Sequence, residues 1–252
     1  MKRRTGTIAR VFLCAAICMI AVFLCACQKS QNETPVEETP TPIATPTEVT
    51  SPTPTFGFRD PTIVDLRAYS DTKHPSLTGE YRNVWNLAPA QNLEATVSGE
   101  GSTVASFRVM WEEEFIYVLV HVLDSTPDTS AKSVYDRDSV FIYINEDAKK
   151  NKYYGVGDAF YVVDRDGKGY LGTGASQDGY ECCVYGDGTG NGYYAEVKIP
   201  LLTVTGRFDR TIGFDVRVNN AEDGKLKHAI QWADVEGHTD VTLRGVGIIS
   251  MD

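Results

Sequence analysis

EFIYVLVHVLD, residues 114–124, is the stretch that decides the fold. Successive side chains of an extended chain point to opposite faces. Ile116, Val118, Val120 and Val122 therefore fall on one side, and Phe115, Tyr117, Leu119 and His121 on the other. Both sides are mostly apolar, as in a central sandwich strand covered on both faces. The pattern recurs at 139–145 (SVFIYIN), 159–164, 180–185, 193–199 and 212–219 (IGFDVRVN). Between these runs lie Asp166-Gly167, Asp178-Gly179, Asp187-Gly188, Asn191-Gly192 and Asp223-Gly224, pairs suited to tight hairpin turns. No segment carries a helical apolar period. Many strands with glycine-rich turns predict an all-β fold, an antiparallel sandwich or jelly roll.

Outside this body the chain changes character. Residues 1–26 read as a signal peptide: Lys2, Arg3, Arg4 and Arg10, then an apolar run over 11–24, then small residues. Leu24-Cys25-Ala26-Cys27 resembles the bacterial lipobox, which implies lipid attachment at Cys27; the alternative is an uncleaved membrane anchor over 11–26. Either places the body on the outer face of the cell membrane. Residues 27–55 hold six prolines among Thr, Glu and Ser, with almost no large apolar side chains, and read as a disordered, extended stalk. From Phe56 the composition is that of a folded body, so 56–252 is taken as one domain.

Of 24 Lys+Arg and 34 Asp+Glu residues, five basic and four acidic ones precede position 56, which leaves the body at net −11. Such a surface repels a phosphate backbone, so nucleic acid is excluded as a partner. Only Cys182 and Cys183 lie in the body. Neighbours on a strand point apart, so no disulfide is expected.

Four blocks resemble the family 9 carbohydrate-binding modules of xylanases, in the family's order. Leu77-Thr78-Gly79 with Trp85 is similar to the opening Ile-Asp-Gly…Trp motif. Residues 107–124 resemble its pair of hydrophobic strands, and 134–145 (VYDRDSVFIYIN) its Trp-x-x-Asp-Ser-Val-Glu block. Residues 192–200 with 212–220 resemble its Glu-x-x-Ile-Pro and Gly-Phe-x-x-x-Val-Asn blocks. The resemblance implies a non-catalytic module binding xylan- or cellulose-type polysaccharide or oligosaccharide ends. In that family two tryptophans sandwich a sugar ring. Tyr135 stands at the first position, and the loop after Trp232-Ala233-Asp234 offers His238 at the second. Phe141 falls at the motif's glutamate, and Tyr161 and Val163 fall where an arginine and an asparagine are expected. The implied site is Tyr135, Trp232 and His238 with Asp138 or nearby Asp and Asn side chains on the sugar hydroxyls. The expected state is a monomer that meets the membrane through its lipid alone.

Other residues have competing readings. Trp85 and Trp111 are expected in the core. Glu196, inside an apolar strand, is either a polar anchor or a carboxylate for glycoside hydrolysis. Asp124, Asp128, Asp136 and Asp138 are dense enough to suggest structural Ca²⁺, which the fold family often carries. Met110 and His121 are a formal haem-ligand pair, with His121 more simply a semi-buried strand residue. The missing polar partners leave a second reading, a degenerate module serving as a protein-contact or spacer domain.

Overall fold

The computed structural model describes residues 66–68, 75 and 77–251. The signal segment, Cys27 and the stalk lie outside the described residues. Thirteen strands form two sheets. They are β1 (Leu66–Ala68), β2 (Gln91–Asn92), β3 (Ala95–Gly99), β4 (Val104–Trp111), β5 (Phe115–Leu123), β6 (Ser139–Asn145) and β7 (Asp158–Asp164). After these come β8 (Gly169–Leu171), β9 (Glu181–Gly186), β10 (Gly192–Pro200), β11 (Arg210–Glu222), β12 (Lys225–Gln231) and β13 (Gly247–Met251). The larger sheet runs β1-β13-β11-β6-β7-β8, with β12 pairing β11 and β3 pairing β12; the smaller runs β2-β4-β5-β10-β9. All ladders are antiparallel except β1 with β13.

The alternation of 114–124 sets the core. Ile116, Val118, Val120 and Val122 of β5 meet Val140, Ile142 and Ile144 of β6 and Phe214, Val216 and Val218 of β11 between the sheets. Fully burying each such side chain is worth about 1.5–3 kcal/mol. Both outer faces are also covered. On the larger sheet, Phe141, Tyr143, Phe160 and Val162 pack under Leu243 and Val246. On the smaller sheet, Met110, Tyr117 and Leu119 pack under Trp85 and Ala88.

The Asp223-Gly224 hairpin joins β11 to β12 with φ +55° and +70°, the left-handed pair that a two-residue turn requires. The pleat sets the two faces of β7. Tyr161 and Val163 point into the inter-sheet core, whereas Phe160 and Val162 face outward beside Phe141. The residues of β7 on the same side of the sheet as Phe141 are therefore Phe160 and Val162.

Candidate functional site

Tyr135 sits in a 3₁₀ turn, Val134–Asp136, that leads into β6. Two bonds hold its backbone. Its N–H donates to Ser133 Oγ at 3.2 Å, and its carbonyl accepts from Asn219 Nδ2 at 2.9 Å. Arg137, two residues on, donates to the Ala131 carbonyl at 2.6 Å and to Asp164 Oδ2 at 3.1 Å. The half-buried ring lies 5.2 Å from that of Phe141, tilted by 35°. Burial, followed by the nearby Asp240 carboxylate, pushes its hydroxyl up to about 12, with Arg217 opposing. It therefore stays a neutral donor.

Arg217 of β11 is the cross-strand partner of Phe141 and lies over its ring, 5.7 Å from the centroid. Its Nη1 is 3.4 Å from Asp240 Oδ2, and its Nε donates to Asn219 Oδ1 at 2.8 Å. Tyr143 donates to Asp240 Oδ1 at 2.6 Å, and Tyr154 to the Thr239 carbonyl at 2.7 Å. These bonds fasten the turn at 238–242 across the outer face of the larger sheet. Burial raises Asp240 above the usual carboxylate range, while the Tyr143 hydroxyl and Arg217 oppose it. The face thus combines one clamped tyrosine with a charged pair of fixed geometry, groups able to stack on a sugar ring and bond its rim.

His238 lies at the start of the 238–242 turn, with a side chain 64% exposed and 3.4 Å from Glu236 Oε2. Its backbone N–H donates to Asp234 Oδ2 at 2.8 Å. The other two expected contacts are elsewhere. Trp232 packs edge-on to Phe107 at 5.3 Å and near Phe214 at 6.2 Å, against the inter-sheet core. Its ring lies so close to Gly247 that a Cβ there would approach within 2.4 Å, which explains glycine at that position. Trp232 is thus a packing residue. Asp138 is 1% exposed, and its oxygens accept the N–H groups of Asp128 and Ala221, both at 2.7 Å. Arg165 lies 3.5 Å away, and burial raises Asp138 to about 6. It fastens the loop before β6 to β11 and does not offer a free oxygen to a sugar. Arg217, Asp240 and Tyr154 were missed by sequence reading. The available signal was on β11, where Asp215, Arg217 and Asn219 place three polar side chains on one face of an otherwise apolar strand.

The rival readings meet specific obstacles. Glu196 is fully buried, with Trp85 Nε1 at 2.8 Å and the Tyr185 hydroxyl at 2.9 Å, both on Oε1. A carboxyl so enclosed is a polar anchor with no glycosidic oxygen in reach. Met110 is buried beneath Trp85 and pairs with Tyr117, four register positions from the Ser106–His121 pair, so Met110 and His121 do not share one iron. Among the suggested Ca²⁺ ligands, Asp124 and Asp138 come together around the Arg165 guanidinium. Arg165 pairs with Asp124 and lies beside Asp138, while Asp128 accepts from Ser130 and Gly224. No group of three or more His, Cys, Asp or Glu side chains suited to a metal occurs among the described residues.

Comparison with known proteins bears on the family and the fold. Residues 77–246 match the model of the carbohydrate family 9 binding domain-like family. Exoglucanase XynX of Acetivibrio thermocellus is 30% identical over 174 residues, 69% of this chain, and endo-1,4-beta-xylanase A of Thermotoga neapolitana is 32% identical over 163 residues, 64% of this chain. The chain spans only 16% and 15% of those two proteins. A family 9 carbohydrate-binding module from Caldicellulosiruptor kristjanssonii, solved with cellotriose, superposes with a TM-score of 0.68 at 23% identity, over 74% of this chain and 93% of that one. The same module solved with glucose gives 0.67. With the four blocks, the two-sheet topology and a family match over most of the folded body, this chain belongs to the carbohydrate family 9 binding domain-like family.

Proposed function

We propose that the domain binds xylan- or cellulose-type polysaccharide, or the ends of such chains, without breaking bonds, on the outer face of the larger sheet. Tyr135 supplies the stacking ring. Arg217, Asp240 and the exposed edge at His238 supply the groups that meet ring hydroxyls. The observation carrying the reading is the Tyr135 turn, its backbone tied by Asn219 and its ring against Phe141, whose cross-strand neighbour Arg217 pairs with Asp240, in a member of this family. The modules solved with glucose and cellotriose support the ligand class. The lipobox at Cys27 and the stalk support display on the outer face of the cell membrane, and palmitate labelling that survives in Cys27→Ala would remove that part.

Affinity electrophoresis against xylan, cellulose derivatives and mannan tests the binding. An aromatic stack is worth about 0.5–1.5 kcal/mol beyond its area, so Tyr135→Ala is expected to weaken binding by roughly tenfold. Unchanged affinity in a folded Tyr135→Ala variant would move the site elsewhere. Uniform absence of retardation would favour a protein-contact role. That second reading has its own support: Tyr153 and Val241 are 70% and 69% exposed on loops joined by the Leu243 N–H to the Asn151 carbonyl, 3.1 Å.

A further inference from the structure

The opposite side of the sandwich carries a second polar hollow. On the outer face of the smaller sheet, one cross-strand row runs Asn92, Ser106, His121, Tyr194, Tyr185. Its rings stack sideways: His121 on Tyr194 at 4.4 Å and 22°, and Tyr185 against Tyr194 at 5.5 Å. The stack ends at Ser106, whose side chain is too short to cover the next space. A hollow of about 80 Å³ opens there, between Ser106, Arg108, Leu119, His121, Tyr194 and Tyr81. Tyr81 closes it from above, 5.2 Å from Tyr194.

Arg108 is the unusual group in this hollow. Its Nη1 donates to the Ala88 carbonyl, and among the described residues it meets no carboxylate. Its charge is near enough to the Tyr194 hydroxyl to oppose the upward shift that burial causes there. The remaining guanidinium donors are thus available on a half-buried, rigid strand position. A guanidinium fork matches a carboxylate in two parallel bonds, and the surrounding hydroxyls and imidazole suit a sugar edge rather than an apolar group. His121 Nε2 is already set by Asp187 Oδ2 at 3.2 Å, which fixes the ring that forms one wall.

We propose that this hollow binds the carboxylate edge of a uronic-acid residue, as carried by acidic polysaccharides. The hollow admits the carboxylate and one ring edge; the rest of the sugar lies over Tyr81 and the tyrosine row. The inference rests on the proposed saccharide-binding role of the domain, but not on the Tyr135 face. A chain with neutral and uronic residues would meet the protein on both sheets.

Amide chemical-shift titration of the folded domain separates the two faces. D-glucuronate, D-glucose, a xylo-oligosaccharide and acetate are the probes, each added to the native protein, Arg108→Lys and Ser106→Leu. Glucuronate is expected to shift amides near 106–108, 119–121 and 194. Glucose should leave them still at the same concentration. Arg108→Lys, which keeps the charge but loses the fork, should weaken glucuronate binding about tenfold. Ser106→Leu, which fills the hollow and leaves Arg108 in place, should abolish it. Equal shifts with acetate would overturn the sugar assignment, and equal response in all three proteins would overturn the site. Xylo-oligosaccharide shifts confined to 134–141, with none from glucuronate, would sink this inference and leave the Tyr135 reading intact. Silence from every saccharide at both faces would sink both.

Discussion

Replacing Trp85 with phenylalanine removes one hydrogen-bond donor from a carboxyl with few partners. Trp85 is 1% exposed, and its Nε1 reaches Glu196 Oε1 at 2.8 Å; Tyr185 bonds the same oxygen at 2.9 Å, and Oε2 has no hydrogen-bond partner among the described residues. A bond to a buried charged group contributes about 1.5–3 kcal/mol, and ring truncation adds about 1 kcal/mol. Trp85→Phe should therefore cost about 3 kcal/mol at pH 8. The pH dependence has a definite sign. Burial raises Glu196, while the Tyr185 and Trp85 bonds favour its charged form. Removing Trp85 raises it further, so the cost is largest where Glu196 is ionised and shrinks as falling pH protonates it. Equilibrium urea unfolding followed by far-UV circular dichroism, at pH 5 and pH 8, measures both quantities. A loss below about 1 kcal/mol with an unchanged denaturant slope, or one that grows toward pH 5, would refute the assigned anchor.

Trp232→Ala should lower stability by about 3 kcal/mol, because its ring packs on Phe107 and Phe214; a surface sugar platform would lose binding and little stability, and thermal melts with affinity electrophoresis distinguish the two. Asp138→Asn puts an amide NH₂ against one of two N–H donors and removes a carboxylate near Arg165. A loss of about 3 kcal/mol in urea unfolding is expected, and near-native stability would contradict the anchor role. Burial raises Asp215 to about 7 and Asp138 to about 6, so the folded state holds protons that the unfolded chain releases above its ordinary carboxylate range. Unfolding free energy should fall as pH rises from about 4 to 7. Thr189 holds Asp187 down to about 2, which adds stability above the ordinary range that is lost as pH falls toward 2. A profile without an acid limb would contradict that part.

The strand pattern was legible because both faces of this sandwich are covered. Residues 139–145 appear as β6 with the same limits, and 114–124 as β5, Phe115–Leu123, because their apolar side chains fill two layers at once. The site was less legible for the same reason. When both faces of a strand are apolar, the alternation no longer says which face is which, so nothing in the sequence showed that Tyr161 and Val163 point into the core while Phe160 and Val162 lie on the other side. Trp232 shares the difficulty: a tryptophan at the end of β12 and the start of a loop reads equally as platform or plug, and only Phe107, distant in sequence, decides it. That Tyr135 lies just before β6 was readable from the strand pattern. The turn at 238–242 was not, since its position depends on Tyr143 and Tyr154 reaching up from the sheet.

A sheet buried on both sides makes a binding surface only where a row is interrupted. On the larger sheet the interruption is a polar stripe on β11: Asp215 is turned to the 231–234 segment, and Arg217 and Asn219 reach toward the Tyr135 turn and Asp240. On the smaller sheet it is a single small residue, Ser106, beside a ladder of rings. The first supplies charges already paired with each other, suited to the hydroxyls of a neutral sugar. The second leaves Arg108 without a carboxylate partner among the described residues, which favours a ligand that brings its own. The ligand preferences of the two faces should therefore diverge even though one core supports both.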